Sequence, residues 1–145
     1  MTLRARFKQS DTGQALTEFA LVMPIVLLLL VGIIEFGRAW NVQQVMTDAA
    51  REGARQAVLA NPAVTQQSVV ATINAALARA AIDTTATQIT LAGAAAGQGG
   101  PSDSLLVVDV QTPYQFRFLS VLINLANLGT NGVIMLRTQF VMRHE

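Results

Sequence analysis

Residues Phe19 to Ile34 read Phe-Ala-Leu-Val-Met-Pro-Ile-Val-Leu-Leu-Leu-Leu-Val-Gly-Ile-Ile, with no charge and no polar side chain, closed by Glu18 at one end and Glu35 at the other. As a helix this run covers roughly 24 Å, a little short of a bilayer. Extended back to Gln14 it covers roughly 31 Å and spans, which places the Glu18 carboxylate inside the membrane. An intramembrane carboxylate is costly and marks a functional position by default. The flanks set the orientation. Arg4, Arg6 and Lys8 stand against Asp11 before the run, whereas Glu35 and Arg38 cancel after it. The excess of basic residues puts the N-terminus in the cytoplasm and residues beyond about Gly37 outside. A secretory signal peptide shares the basic head and apolar run, but it needs a small-x-small cleavage site directly after. Glu35-Phe36-Gly37-Arg38-Ala39-Trp40 is a poor one, so the run reads as a retained anchor.

The rest of the composition excludes more than it assigns. Of 145 residues, 52% are hydrophobic and 13% charged, against about 25% charged in a soluble domain. The net charge is +1 and the ten basic residues form no stripe, which argues against a nucleic-acid partner. Cysteine is absent and His144 is the single histidine, so thiolate sites, histidine metal sites and catalytic triads are hard to build. Asp48, Glu52, Asp83, Asp103, Asp109 and Glu145 form no close motif with a nucleophile or a second ligand. The glycine-rich stretch from Gly93 to Ser102 has no Gly-Lys-Ser/Thr and is a flexible loop, not a phosphate loop. No catalytic, metal or cofactor residue is expected, and no small-molecule substrate.

Ahead of the apolar run stands Lys8-Gln-Ser-Asp-Thr-Gly13, then Gln14-Ala-Leu-Thr-Glu18-Phe19. A basic leader ending in glycine, with a glutamate five residues on, resembles the type IV prepilin processing site. In that class a membrane-embedded aspartyl peptidase cuts after the glycine. Cutting after Gly13 would start the mature chain at Gln14 and make Glu18 its fifth residue. The new amine could pair with the Glu18 carboxylate one turn on, in the same chain or a neighbour, and buried charges are tolerated when paired. A ladder of such pairs would set the axial stagger of a helical bundle. The bland alternative makes Gly13 a helix-start residue and Glu18 a polar residue at headgroup level.

The segment from Gly13 to Val58 is similar to the N-terminal signature of the TadE-like family, minor pilins or pseudopilins of the bacterial tight-adherence (Flp) pilus. The resemblance rests on Glu18-Phe19-Ala20-Leu21, Pro24, Glu35 and Gly37, and Ala49-Ala50-Arg51-Glu52-Gly53-Ala54-Arg55. Tyr114 to Leu119 and the ending Arg143-His144-Glu145 add to it more thinly. It implies a structural, non-enzymatic subunit of a type IV-like pilus in the bacterial inner membrane or the pilus itself. Its partners would be a prepilin peptidase, the other major and minor pilins, and the inner-membrane assembly platform.

Pro24 reads as a helix kink, tolerated in a membrane helix when neighbours or local distortion compensate. Beyond the membrane the helix continues from Phe36 to Leu59, with Trp40 as an interfacial anchor. Val42, Val45 or Met46, Ala49, Gly53 and Ala57 make one stripe. Its small members Ala49, Gly53 and Ala57 predict a helix-packing interface, either with the chain's own second helix or with another subunit. Arg51 and Arg55 are a solvated face or partner contacts. Asn61-Pro62 reads as cap and first residue of a second, antiparallel helix ending near Ala81. Alternation then predicts strands at Thr87–Leu91, Ser104–Thr112 and Val133–Arg143, forming an antiparallel sheet covered by the two helices. Tyr114, Phe116 and Phe118 alternate onto one side before an apolar run to Leu128. That segment is either core with a short covering helix or an exposed patch that docks a subunit or the membrane surface.

The fold class expected is thus α+β and pilin-like: a cytoplasmic leader at 1–13, a transmembrane helix at 14–36 and an extracytoplasmic head at 37–145. Two functions stay open, a processed minor pilin or pseudopilin and an uncleaved single-pass anchor whose outer domain is a scaffold or binding module.

Overall fold

A computed structural model describes residues 11–59, 61, 63–93, 105–125 and 132–143. Arg4, Arg6 and Lys8 of the leader, Pro62, residues 94–104, the end of the apolar run at 126–128, and His144–Glu145 lie outside them. The element order is α1 (Asp11–Ala57), α2 (Gln66–Arg79), β1 (Gln88–Gly93), β2 (Leu105–Gln115), α3 (Leu119–Leu125) and β3 (Val133–Arg143). The class is α+β, with a three-stranded antiparallel sheet in the order β1-β2-β3.

The chain divides into two compact units, Met1–Ile34 and Glu35–Glu145. In the first, α1 carries the apolar run, and Pro24 lies inside the helix. The large apolar side chains from Leu16 to Ile34 stand exposed, Val31 alone being half-buried. A core helix of a soluble protein hides such a face, but only 6% of the most apolar window here is buried. By length and composition the helix can cross a membrane.

In the second unit the outer half of α1, α2 and the sheet close one core. Met46, Ala49, Ala50, Ala54 and Ala57 of α1 meet Val69, Ile73 and Leu77 of α2 and Leu106, Val108 and Val110 of β2. Spacings of three and four put the helical members on one face each, and spacing of two does so for the strand. The outer half of α1 also meets β3 through polar groups. Gln43 Nε2 donates to the Arg137 carbonyl at 2.8 Å, and the Thr47 and Thr138 hydroxyls share a hydrogen bond of 3.0 Å. The first of these occupies one backbone carbonyl of an edge strand.

In the second unit two boundaries differ from expectation by three residues or more. The second helix begins four residues late, because Thr65 and not Asn61 is its N-cap. The Thr65 hydroxyl accepts from Ser68 N while Ser68 Oγ accepts from Thr65 N, a reciprocal capping box. Asn61 instead closes a turn, its side chain accepting from Ala63 N and its carbonyl from Val64 N. At the other end α2 stops on Ala81 in the left-handed region, φ 56°. There Ala81 N donates to Ala78 O and Ile82 N to Leu77 O, the bond pattern of a Schellman cap. The second strand runs on through Pro113 and Tyr114 to Gln115, paired with Val133–Met135.

Candidate functional site

The start of α1 places the expected processing residues on one helical turn. Gln14 Nε2 donates to Glu18 Oε1 at 3.0 Å, and Thr17 Oγ1 donates to the Gln14 carbonyl at 2.7 Å. Both glutamate neighbours in the apolar series, Leu16 and Phe19, are exposed. The carboxylate is therefore aimed back along the helix at residue 14, the position that cutting after Gly13 would make the N-terminus.

The site that sequence reasoning missed is Glu35. Its carboxylate is wholly buried, 0% exposed, and accepts two consecutive backbone donors. Arg117 N reaches Oε2 at 3.1 Å and Phe118 N reaches Oε1 at 3.1 Å. Arg38, one turn on, lies 4.0 Å from Oε1. A buried carboxylate is stable only when its lone pairs are used, and here the backbone entering α3 uses them. The signal in the sequence was a carboxylate directly after an apolar run. Its partners, 82 and 83 residues away, gave no local sign.

Beside this clasp an aromatic cluster forms. Phe116 packs edge-on against Phe36 at 5.8 Å and against Tyr114 at 5.4 Å between ring centroids. Its amide donates to the Gly132 carbonyl at 3.0 Å. Burial raises the Tyr114 phenol above its ordinary pKa, opposed by the nearby Arg38 charge. The three aromatics do not share one side as their alternation suggested. Phe116 is buried (5% exposed), Tyr114 half-buried and Phe118 exposed (59%). The strand ends at Gln115, so its two-residue period does not reach Phe116 or Phe118. Phe116 is thereby a core residue, whereas Phe118 and part of Tyr114 face outward.

The small-residue stripe Ala49, Gly53 and Ala57 is buried in the chain's own core, with Gly53 against Ile73 and Val69 of α2. Arg51 pairs with Asp48 at 3.7 Å and lies over the Phe140 ring, 5.4 Å from its centroid. Both charges of that pair are exposed, so it contributes little. Arg55 is exposed and makes no ion pair among the described residues; it lines a shallow hollow with Glu52, Gln56, Leu59 and Thr72. On the open face of the sheet Arg137 clasps Asp109, with Nε 2.8 Å from Oδ2 and Nη2 also on Oδ2. That bond holds the Asp109 carboxyl below the usual aspartate range. Among the described residues no group of three or more His, Cys, Asp or Glu could hold a metal ion.

No curated protein and no solved structure matches the chain. A protein-family model does, over residues 13–55. It covers the start of α1, the apolar run, Glu35 and the helix as far as Arg55. The matching model is that of TadE-like proteins, so this stretch of the chain is similar to that family.

Proposed function

We propose that the protein is a minor pilin or pseudopilin of a tight-adherence, Flp-type pilus, a structural subunit without enzymatic activity. In this reading residues 14–36 hold it in the bacterial inner membrane, with the leader 1–13 in the cytoplasm and the head 37–145 outside. A prepilin peptidase cuts between Gly13 and Gln14. The Glu18 carboxylate then pairs with the amine of Gln14, its own or a neighbour's, and fixes the register of the bundle. The observation that carries the reading is the Gln14–Glu18 hydrogen bond at the point where the TadE-like match begins. Other pilins and the assembly platform are the partners. Pro24 supplies a kink that adapts the helix as it passes from lipid to filament. Arg55 is an exposed outer position available for contacts between subunits.

A second reading, the uncleaved anchor, draws support from one feature. The helix α1 begins at Asp11, so the Gly13–Gln14 bond lies inside it and must unwind to be cut. Mass spectrometry of the N-terminus of the protein from its native membrane separates the two. A mature start at Gln14, lost in Gly13→Leu, is the expected result. A start at Met1 or Thr2 would move the anchor reading ahead. Under the first reading Glu18→Ala inserts normally but fails to enter pili, and normal assembly of that variant would remove the register role.

A further inference from the structure

We propose that α3 lies in the membrane interface, with its Phe118–Val121–Leu125 face seated at the boundary between headgroups and acyl chains. The proposal rests on the anchor reading of residues 14–36. Phe118, Val121 and Leu125 recur at helical spacing and are 59%, 67% and 84% exposed. The chain has no charged residue from Phe118 to Leu136. Such a face in water is unfavourable by the apolar area it shows and calls for an occupant.

The Glu35 clasp identifies that occupant. The apolar run ends at Ile34, and Glu35 is the next residue in the chain. The Phe118 amide nitrogen is 3.1 Å from its carboxylate. The residue that leads into α3 is therefore bonded to the residue that directly follows the run. Phe36 and Trp40, one and five residues beyond Glu35 on α1, are both exposed aromatics, of the kind that settle at a lipid–water boundary. Arg38 and Arg117 flank the clasp, and long basic side chains at such a boundary reach the headgroup phosphates while their stems cover apolar surface. The clasp thus does two things: it satisfies two backbone donors that lipid could not, and it ties the start of a short apolar helix to the residue after the run.

The chain's lack of cysteine makes the test direct. Single cysteines are placed at Val121, Leu125, Leu27 and Ala71 of the full chain, labelled with an environment-sensitive NBD fluorophore. The protein is reconstituted in phosphatidylethanolamine–phosphatidylglycerol vesicles containing lipids spin-labelled at shallow or deep acyl positions. Quenching at Val121 and Leu125 by the shallow label, at least about threefold above Ala71 on α2, is expected for an interfacial helix. Leu27 reports the span through the deep label. Quenching at Leu27 with Val121 and Leu125 at the Ala71 level would overturn the proposal and leave the anchor standing. No quenching at Leu27 would overturn both. Blue-shifted emission at Val121 or Leu125 without quenching would mean a protein occupant, and would also overturn it. Adding Glu35→Ala is expected to lower quenching at Val121, and unchanged quenching would remove the clasp from the account.

Discussion

Ile73 fills the space that a side chain at residue 53 would need: an ideal Cβ on Gly53 would stand 2.5 Å from both Cδ1 and Cγ1 of Ile73. Helix propensity alone favours almost any residue over glycine there, by about 1 kcal/mol for alanine. Packing opposes it, because Ile73 is fully buried and cannot swing into solvent. Gly53→Val is expected to lower head stability by about 1–3 kcal/mol through overpacking. Urea unfolding in detergent measures it. Ile73→Val, mild by itself at about 0.5–1.5 kcal/mol, should restore part of the loss when combined with Gly53→Val, since the two share one space.

Glu35→Ala removes the acceptor of two backbone amides in a buried place. Hydrogen bonds to a charged group contribute about 1.5–3 kcal/mol each, and orphaned donors add desolvation. Amide exchange at Arg117 and Phe118 should accelerate by about a hundredfold or more, in line with a local loss of roughly 3 kcal/mol. Glu35→Gln keeps one acceptor oxygen and should fall between the two. Equal exchange in wild type and Glu35→Ala would mean the clasp contributes nothing.

Ala81 is the non-glycine residue of the described chain held at positive φ. Left-handed backbone costs an L-residue with a β-carbon about 1–2 kcal/mol, and glycine escapes this at some expense in unfolded-state entropy. Ala81→Gly is expected to raise stability by about 0.5–1 kcal/mol. A shift of the unfolding midpoint to lower urea would contradict the cap geometry.

Asp109 ties stability to pH through Arg137. Its folded pKa is depressed first by the hydrogen bond from Arg137, against the opposing effect of burial. In the acid range below the ordinary aspartate value the unfolded chain binds the proton that the folded chain refuses. Stability is therefore full above that value and declines as pH falls through it toward the depressed one. Asp83 behaves alike, its carboxyl lowered by the Thr85 hydroxyl and amide. Asp109→Asn should flatten part of the acid limb of a stability–pH curve and lower stability at neutral pH. With the Arg137 side chain mostly exposed, the neutral-pH loss is about 1 kcal/mol. The part of the limb that remains should go with Asp83→Asn.

The legible parts of the fold were the ones written in local period. The apolar run, the stripe from Met46 to Ala57 and the alternation of Leu106, Val108 and Val110 all reach the structure as read, because each pattern lies within a single element; the last two face one core, and the run stands exposed. Val133–Arg143 appears with the ends that alternation drew. Failures came where one local pattern competed with another. Asn61-Pro62 looks like a cap, yet Thr65 with Ser68 offers two reciprocal bonds and wins. Tyr114, Phe116 and Phe118 look like strand alternation, but the strand stops at Gln115 and the chain turns to meet Glu35. Charge counting at the exit of the run treated Glu35 and Arg38 as cancelling. Burial of Glu35 was not legible, since it depends on backbone amides, which every sequence has everywhere. The choice between intrachain and intersubunit packing for Ala49, Gly53 and Ala57 likewise needed the position of Ile73.

The clasp on Glu35 also fixes an order of events. Its two donors enter the chain 82 and 83 residues after it, so no partly made chain can satisfy it. During synthesis the carboxylate stands hydrated until β2 is complete and Phe118 has followed. Only then do the aromatic cluster close and the carboxylate leave water. Closure of the head is thus timed by length of chain delivered, and a product cut short before Phe118 keeps Glu35 without its full pair of amide donors.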